Sequence, residues 1–184
     1  MKRLAILATA TALFSTAAQA DEAFDAFRNF CVATHGAAAP ALAAAGTAGW
    51  APVPEQSLTQ LSQMGLVGAQ GRVRPVAGGT ALLLTASGSA PQGGGLVPEC
   101  VVAAVPAGAS DLAGQLAAFA AVPLQGAAGL PQGFYAWRDE NGRHVPLDQN
   151  APDFQVQMRS GTGFMAMVQT NAQMSMVLLI GTPQ

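Results

Sequence analysis

Lysine is almost missing: Lys2 is the one lysine in 184 residues, and charged side chains make up only 10% of the chain. The seven arginines are Arg3, Arg28, Arg72, Arg74, Arg138, Arg143 and Arg159, and they form no cluster. A phosphate backbone is held by several closely spaced cations, so nucleic acid is not an expected partner. The same shortage argues against docking on anionic lipid. The apolar run Leu4–Phe14 is about eleven residues, broken by Thr9 and Thr11. A helical span needs about twenty, so no membrane span is expected once a leader is removed.

Chemistry-bearing motifs are equally scarce. His35 and His144 are the only histidines, and two distant imidazoles do not make the usual zinc sets. Ser87, Ser110 and Ser160 lack the G-x-S-x-G elbow of triad hydrolases. Asp139 and Glu140 adjoin in a polar turn and do not mark out a glycosidase pair. The stretch Gly88–Gly95 has neither the Lys-Ser/Thr of a phosphate loop nor a G-x-G-x-x-G fingerprint; it reads as a surface loop. No cofactor is implied.

What the chain does have begins at its N-terminus. Met1-Lys2-Arg3 is a cationic start, Leu4–Phe14 an apolar centre, and Ala18-Gln19-Ala20 a small-residue cleavage site. This is the three-part secretory signal, so residues 1–20 are expected to be a cleavable leader and 21–184 a single domain. The expected location is the periplasm or outside the cell. Removing Lys2 and Arg3 changes the net charge from −2 to −4.

Export gives meaning to the two cysteines, Cys31 and Cys100. In an oxidising compartment, with no third thiol, their simplest state is a disulfide. The rival reading makes Cys31 a nucleophile with His35, four residues on, at a spacing that permits contact on a helix.

Asp21–Cys31 reads as an amphipathic helix with Phe24, Phe27 and Cys31 on one stripe, its acids opposing the positive helix end. Ala37–Ala45 follows as a second helix with Pro40 in its first turn, and Trp50–Pro54 as an extended linker anchored by Trp50. Glu55–Leu66 is a short helix. Arg72–Val76 and Thr80–Thr85 form a hairpin. Cys100–Val105 is a central strand buried on both faces. Ser110 caps a helix through Phe119, Phe134–Trp137 is a short edge strand, and Asn141-Gly142 is a hairpin turn. Asp153–Arg159, Gly163–Gln169 and Gln173–Ile180 read as three successive strands. The expected class is α+β: a mostly antiparallel sheet of five to seven strands, with N-terminal helices and one mid-chain helix packed on it. In element order alone it resembles PAS-like and profilin-like layouts.

Two constellations are candidate sites. A tight turn at Asn171-Ala172 places Met167 opposite Met176. Period-two alternation then puts Met158, Met165, Met167, Met174 and Met176 on one face. That face reads as core, with Phe154, Val156, Leu178 and Ile180 continuing it and methionine filling gaps. Its other readings are a surface for an apolar ligand or protein, and a Cu(I) site, because soft thioethers favour that ion. The second constellation is Tyr135, Trp137, Arg138 and Arg143. It reads either as cover for a sheet edge or as an aromatic and cationic patch. The expected function is a non-enzymatic binding or structural module. The alternatives are a small secreted hydrolase and a Cu(I) binder.

Overall fold

Strands with apolar side chains on alternate residues run from Ala51 to Ile180 and assemble into one antiparallel sheet. The computed structural model describes residues 17–63, 67–76, 78–89, 96–107, 111–127, 130–160 and 162–180. Most of the expected leader, the loop at 90–95 and Ser110 lie outside them. The strands are β1 (Ala51–Pro52), β2 (Val67–Val76), β3 (Gly79–Ser89), β4 (Leu96–Val105), β5 (Gln125–Ala127), β6 (Leu130–Glu140), β7 (Arg143–Pro146), β8 (Gly163–Thr170) and β9 (Ser175–Ile180). Their order is β1-β2-β3-β4-β9-β8-β6-β5, with β7 also on β6, and every pairing is antiparallel. The α+β class is as expected, with nine strands among the described residues in place of five to seven.

Helices cover one face. They are α1 (Ala17–Ala26), which continues as a π-helical segment Phe27–Val32, then α2 (Ala38–Thr47) and α4 (Leu112–Ala120). The first helix starts before the expected Asp21 and runs across the expected cleavage point. Phe24, Phe27, Leu112 and Leu116 from these helices meet Leu83, Val102, Trp137, Phe164, Val177 and Leu179 from the sheet in one core. Fully burying side chains of this size stabilises by about 1.5–3 kcal/mol each.

The π-helical segment carries Cys31 to Cys100 in β4, and the two form a disulfide (S–S 2.04 Å). Both cysteines are fully buried, and no free thiol remains for a nucleophile. Trp50 anchors as expected, edge-on to Phe30 at 5.4 Å, but Ala51 and Pro52 pair with β2 rather than forming a linker. Asp111 is the N-cap of α4, its carboxylate accepting from Gly114 N at 2.9 Å. At the Asn141-Gly142 turn both residues take positive φ (53° and 76°), as a two-residue hairpin of this hand requires.

Three expectations about strands need correction. Phe154–Arg159 is a helix, α5, closed by Gln157 N donating to Asp153 O and Ser160 N to Val156 O. Phe134–Trp137 is the middle of eleven-residue β6, flanked by β8 on one side and by β5 and β7 on the other. The β8–β9 connection is a four-residue loop, with Thr170 opposite Ser175.

Candidate functional site

Among the described residues the second face of the sheet has no equivalent helix layer. In register, Gly71, Leu84, Val101, Leu178 and Met167 form one cross-strand row. Val73, Leu82, Ala103, Met176 and Gln169 form the next, and Ala86, Glu99, Ile180 and Met165 the one on the other side. At one end α5 seals this face, where Phe154 and Met158 join Leu147, Ala136, Met167 and Ile180 in a second, smaller core. At the other end Val53, leading into α3 (Glu55–Gln63), stands beside Gly71 and Leu84. Between them the helices that pack on β4 and β9 are α1, the π-helical segment, α2 and α4, all on the first face. Leu82, Leu84, Val101, Met176 and Leu178 are accordingly half-buried. The central strand β4 is therefore sealed on its Cys100–Val102–Ala104 side but only partly covered on the other, a correction to the expectation of two buried faces.

Of the five methionines expected on one face, Met165, Met167 and Met176 alternate onto it from strands, while Met158 lies in α5 and Met174 in a loop. Met167 opposes Leu178, and Met176 opposes Gln169. The register slips by two residues from a tight-turn pairing, and a slip of two keeps every side chain on its face. Met165, Met167 and Met176 therefore share the second face. Met158 reaches it from α5 and is 8% exposed, close against Gly163 and Leu147. Met174 lies in the β8–β9 loop. Val156, expected on the same face, is 67% exposed.

Met167 and Met176 together line a cleft of about 280 Å³, rimmed by Gln132, Gly133, Gln169, Thr170 and Asn171. Its lining has no charged side chain. Gln169 Nε2 donates to Met167 Sδ at 3.6 Å. Asn171 Oδ1 accepts from Gln173 N and Met174 N at 2.8 and 2.9 Å, which fixes the loop beside the opening. Gly133 has φ 69°, and a Cβ there would sit 2.7 Å from Gln125 O. A larger residue would push the rim of the cleft. An apolar floor with a few uncharged hydrogen-bonding groups suits a small neutral ligand with a polar end. A second hollow of about 320 Å³ lies on the helix side between Trp50, Phe30, Arg74, Glu22, Asp25 and Asn29. Part of its wall is α1 near the expected cleavage point.

The imidazoles are occupied elsewhere. His144 Nδ1–H donates to Phe119 O (2.9 Å) and Ala120 O (3.2 Å), capping the end of α4, while its ring packs against Phe119 and Trp137. His35 stacks on Phe164 at 4.9 Å. Among the described residues no Ser, Asp or Glu side chain bonds either ring. The aromatic and cationic patch also separates: Trp137 is fully buried and Tyr135 half-buried on the helix face. Arg138 bonds Glu140 Oε1 (2.6 Å) and Gln157 Oε1 (2.7 Å), and Arg143 is exposed in β7.

Sequence reasoning overlooked Glu99. Its parity with Val101 and Ala103, in an otherwise apolar strand, was the available signal. It stands between Ala86 and Ile180 on the second face. Among the described residues no cation lies within bridging distance of it. Burial among apolar neighbours pushes its carboxyl above the ordinary value, because a low-dielectric setting disfavours the charged form. The folded state then holds the proton more tightly than the unfolded one, so stability falls as pH climbs from the unfolded value through the folded one. Glu99→Gln is expected to melt at a higher temperature than the wild type at pH 7 and at the same temperature near pH 3.5. Circular-dichroism melts at the two pH values check this; an equal offset at both would contradict it.

The architecture defines an antiparallel sheet with one helix-covered face and one apolar face left partly open. No protein-family model matches the chain, and neither a curated protein nor a solved structure does.

Proposed function

We propose that this chain is an exported, non-enzymatic binding module that takes its ligand on the open sheet face, at the cleft floored by Met167 and Met176. The observation that carries the reading is the cleft's composition: two thioethers below, and a rim of amide, hydroxyl and backbone groups without charge. The engagement of both imidazoles by backbone and aromatic rings favours binding over hydrolysis. Export is supported by the leader pattern of residues 1–20 and by the buried Cys31–Cys100 bond, which belongs to an oxidising compartment. Within this reading residues 21–184 act as one domain. The PAS-like or profilin-like comparison rests on element order alone.

The test uses N-phenyl-1-naphthylamine, a neutral apolar fluorophore, titrated into the disulfide-bonded protein. Saturable one-to-one binding is expected, weakened at least tenfold in Met176→Asp while the melting temperature stays within a few degrees. Binding that ignores Met176→Asp, or no saturable binding, contradicts the site. Turnover of a nitrophenyl ester that disappears in His144→Ala would instead support a hydrolase. Saturable Cu(I) binding lost in Met167→Leu and Met176→Leu would support the soft-metal reading.

A further inference from the structure

Resting on that binding reading, we propose that the open face docks an amphipathic helix of a partner protein, its apolar stripe on Leu84, Val101 and Leu178 and a Lys or Arg beside Glu99. The first ground is shape. Adjacent strands are about 4.8 Å apart, so β2 to β8 spans roughly 19 Å. Val53 occupies one side of that span, beside Gly71 of β2, and α5 the other. The gap over β3, β4 and the Met176–Leu178 part of β9 matches the roughly 10 Å width of one helix, and laying an apolar helix stripe into such a groove is a recurring recognition mode.

The second ground is charge. Among the described residues on the partly covered rows over β3, β4 and β9, Glu99 is the one charged side chain, and it stands at one end. Covering it with apolar groups alone would bury an unpaired carboxylate, which is strongly unfavourable; a partner cation there offsets that cost and fixes the direction in which the helix lies. A second copy of this chain fits less well. Arg138, on the same side of the sheet, is already engaged by Glu140 and Gln157, so an isologous contact would have to reach one strand further out, to the exposed Arg143 of β7. A small cationic amphiphile is also disfavoured, because a shallow sheet surface leaves most of such a molecule in water, whereas small-ligand sites enclose most of theirs.

The test is a pair of synthetic helical peptides with one shared leucine stripe, flanked by lysines in one and by glutamates in the other. Affinities are measured by fluorescence anisotropy against the disulfide-bonded protein. The lysine peptide is expected to bind at least tenfold more tightly. Glu99→Gln should erase that preference while changing the affinity for the glutamate peptide less than twofold. Val101→Ser should weaken both peptides. Three results would overturn the proposal. One is equal affinity for the two peptides. Another is a lysine preference that survives Glu99→Gln. The third is Glu99-dependent binding of dodecyltrimethylammonium without binding of the lysine peptide. If the neutral fluorophore still binds in a Met176-dependent manner, only the helix-docking inference fails. If neither fluorophore nor peptides bind, the binding reading fails with it.

Discussion

Replacing Cys31 and Cys100 together by alanine is expected to lower stability by about 4 kcal/mol, the closure entropy of a loop of this length. The two residues are separated by 69 positions, so the bond restrains a long stretch of the unfolded chain. At a domain of this size the loss corresponds to a fall of roughly 10 °C in melting temperature. The wild type treated with reductant should behave like the double variant. Urea unfolding followed by circular dichroism, with and without reductant, measures both. A shift under 1 kcal/mol would mean that helix packing alone holds the N-terminal segment on β4.

Trp137→Ala is the second large effect, expected to cost about 3–5 kcal/mol. Trp137 is fully buried and touches three elements at once. It stacks on Phe164 of β8 at 5.5 Å, meets Phe119 of α4 edge-on at 6.0 Å, and packs on His144 of β7 at 5.3 Å. Phe119 in turn meets Phe24 of α1. Removing the indole opens a cavity where α4 joins the sheet and frees His144 from its position under the helix end. Trp137→Phe should cost much less, under about 1.5 kcal/mol. It keeps a ring there and deletes Nε1, a buried donor that has no hydrogen-bond partner among the described residues. Chemical denaturation of the two variants checks the ranking, and equal losses would contradict it.

Local pattern carried most of the element list. The hairpin β2–β3, the turn at Asn141-Gly142 and the methionine alternation were legible because each depends on neighbours in sequence. The alternation survived an error in loop length, since Thr170 pairing with Ser175 moves the register by an even number of residues. Phe154–Arg159 shows where pattern fails. Phe154 and Met158 are four apart, a spacing that suits one face of a strand and one face of a helix alike. Only Val156 separates the two, and its exposure belongs to the helix. Polar Gln132, Arg138 and Asp139 made β6 look short, although they extend it beyond the core. The pairings β4–β9 and β6–β8 join segments distant in sequence, and no local signal announced them. The shared face of Met167 and Met176 and the parity of Glu99 were legible in the chain. The open face follows from those distant pairings, so the cleft and the apolar neighbours of Glu99 across β3 and β9 were not.

The most direct test of ligand binding on the open face is a methyl NMR titration of the ¹³C-methionine-labelled, disulfide-bonded protein with N-phenyl-1-naphthylamine. The methyl signals of Met167 and Met176, assigned by Met→Leu substitution, should shift together and saturate with the binding curve, while that of Met158, buried on the inner side of α5, stays in place. Saturation without movement of Met167 and Met176 would place the ligand elsewhere and contradict the assignment of this face.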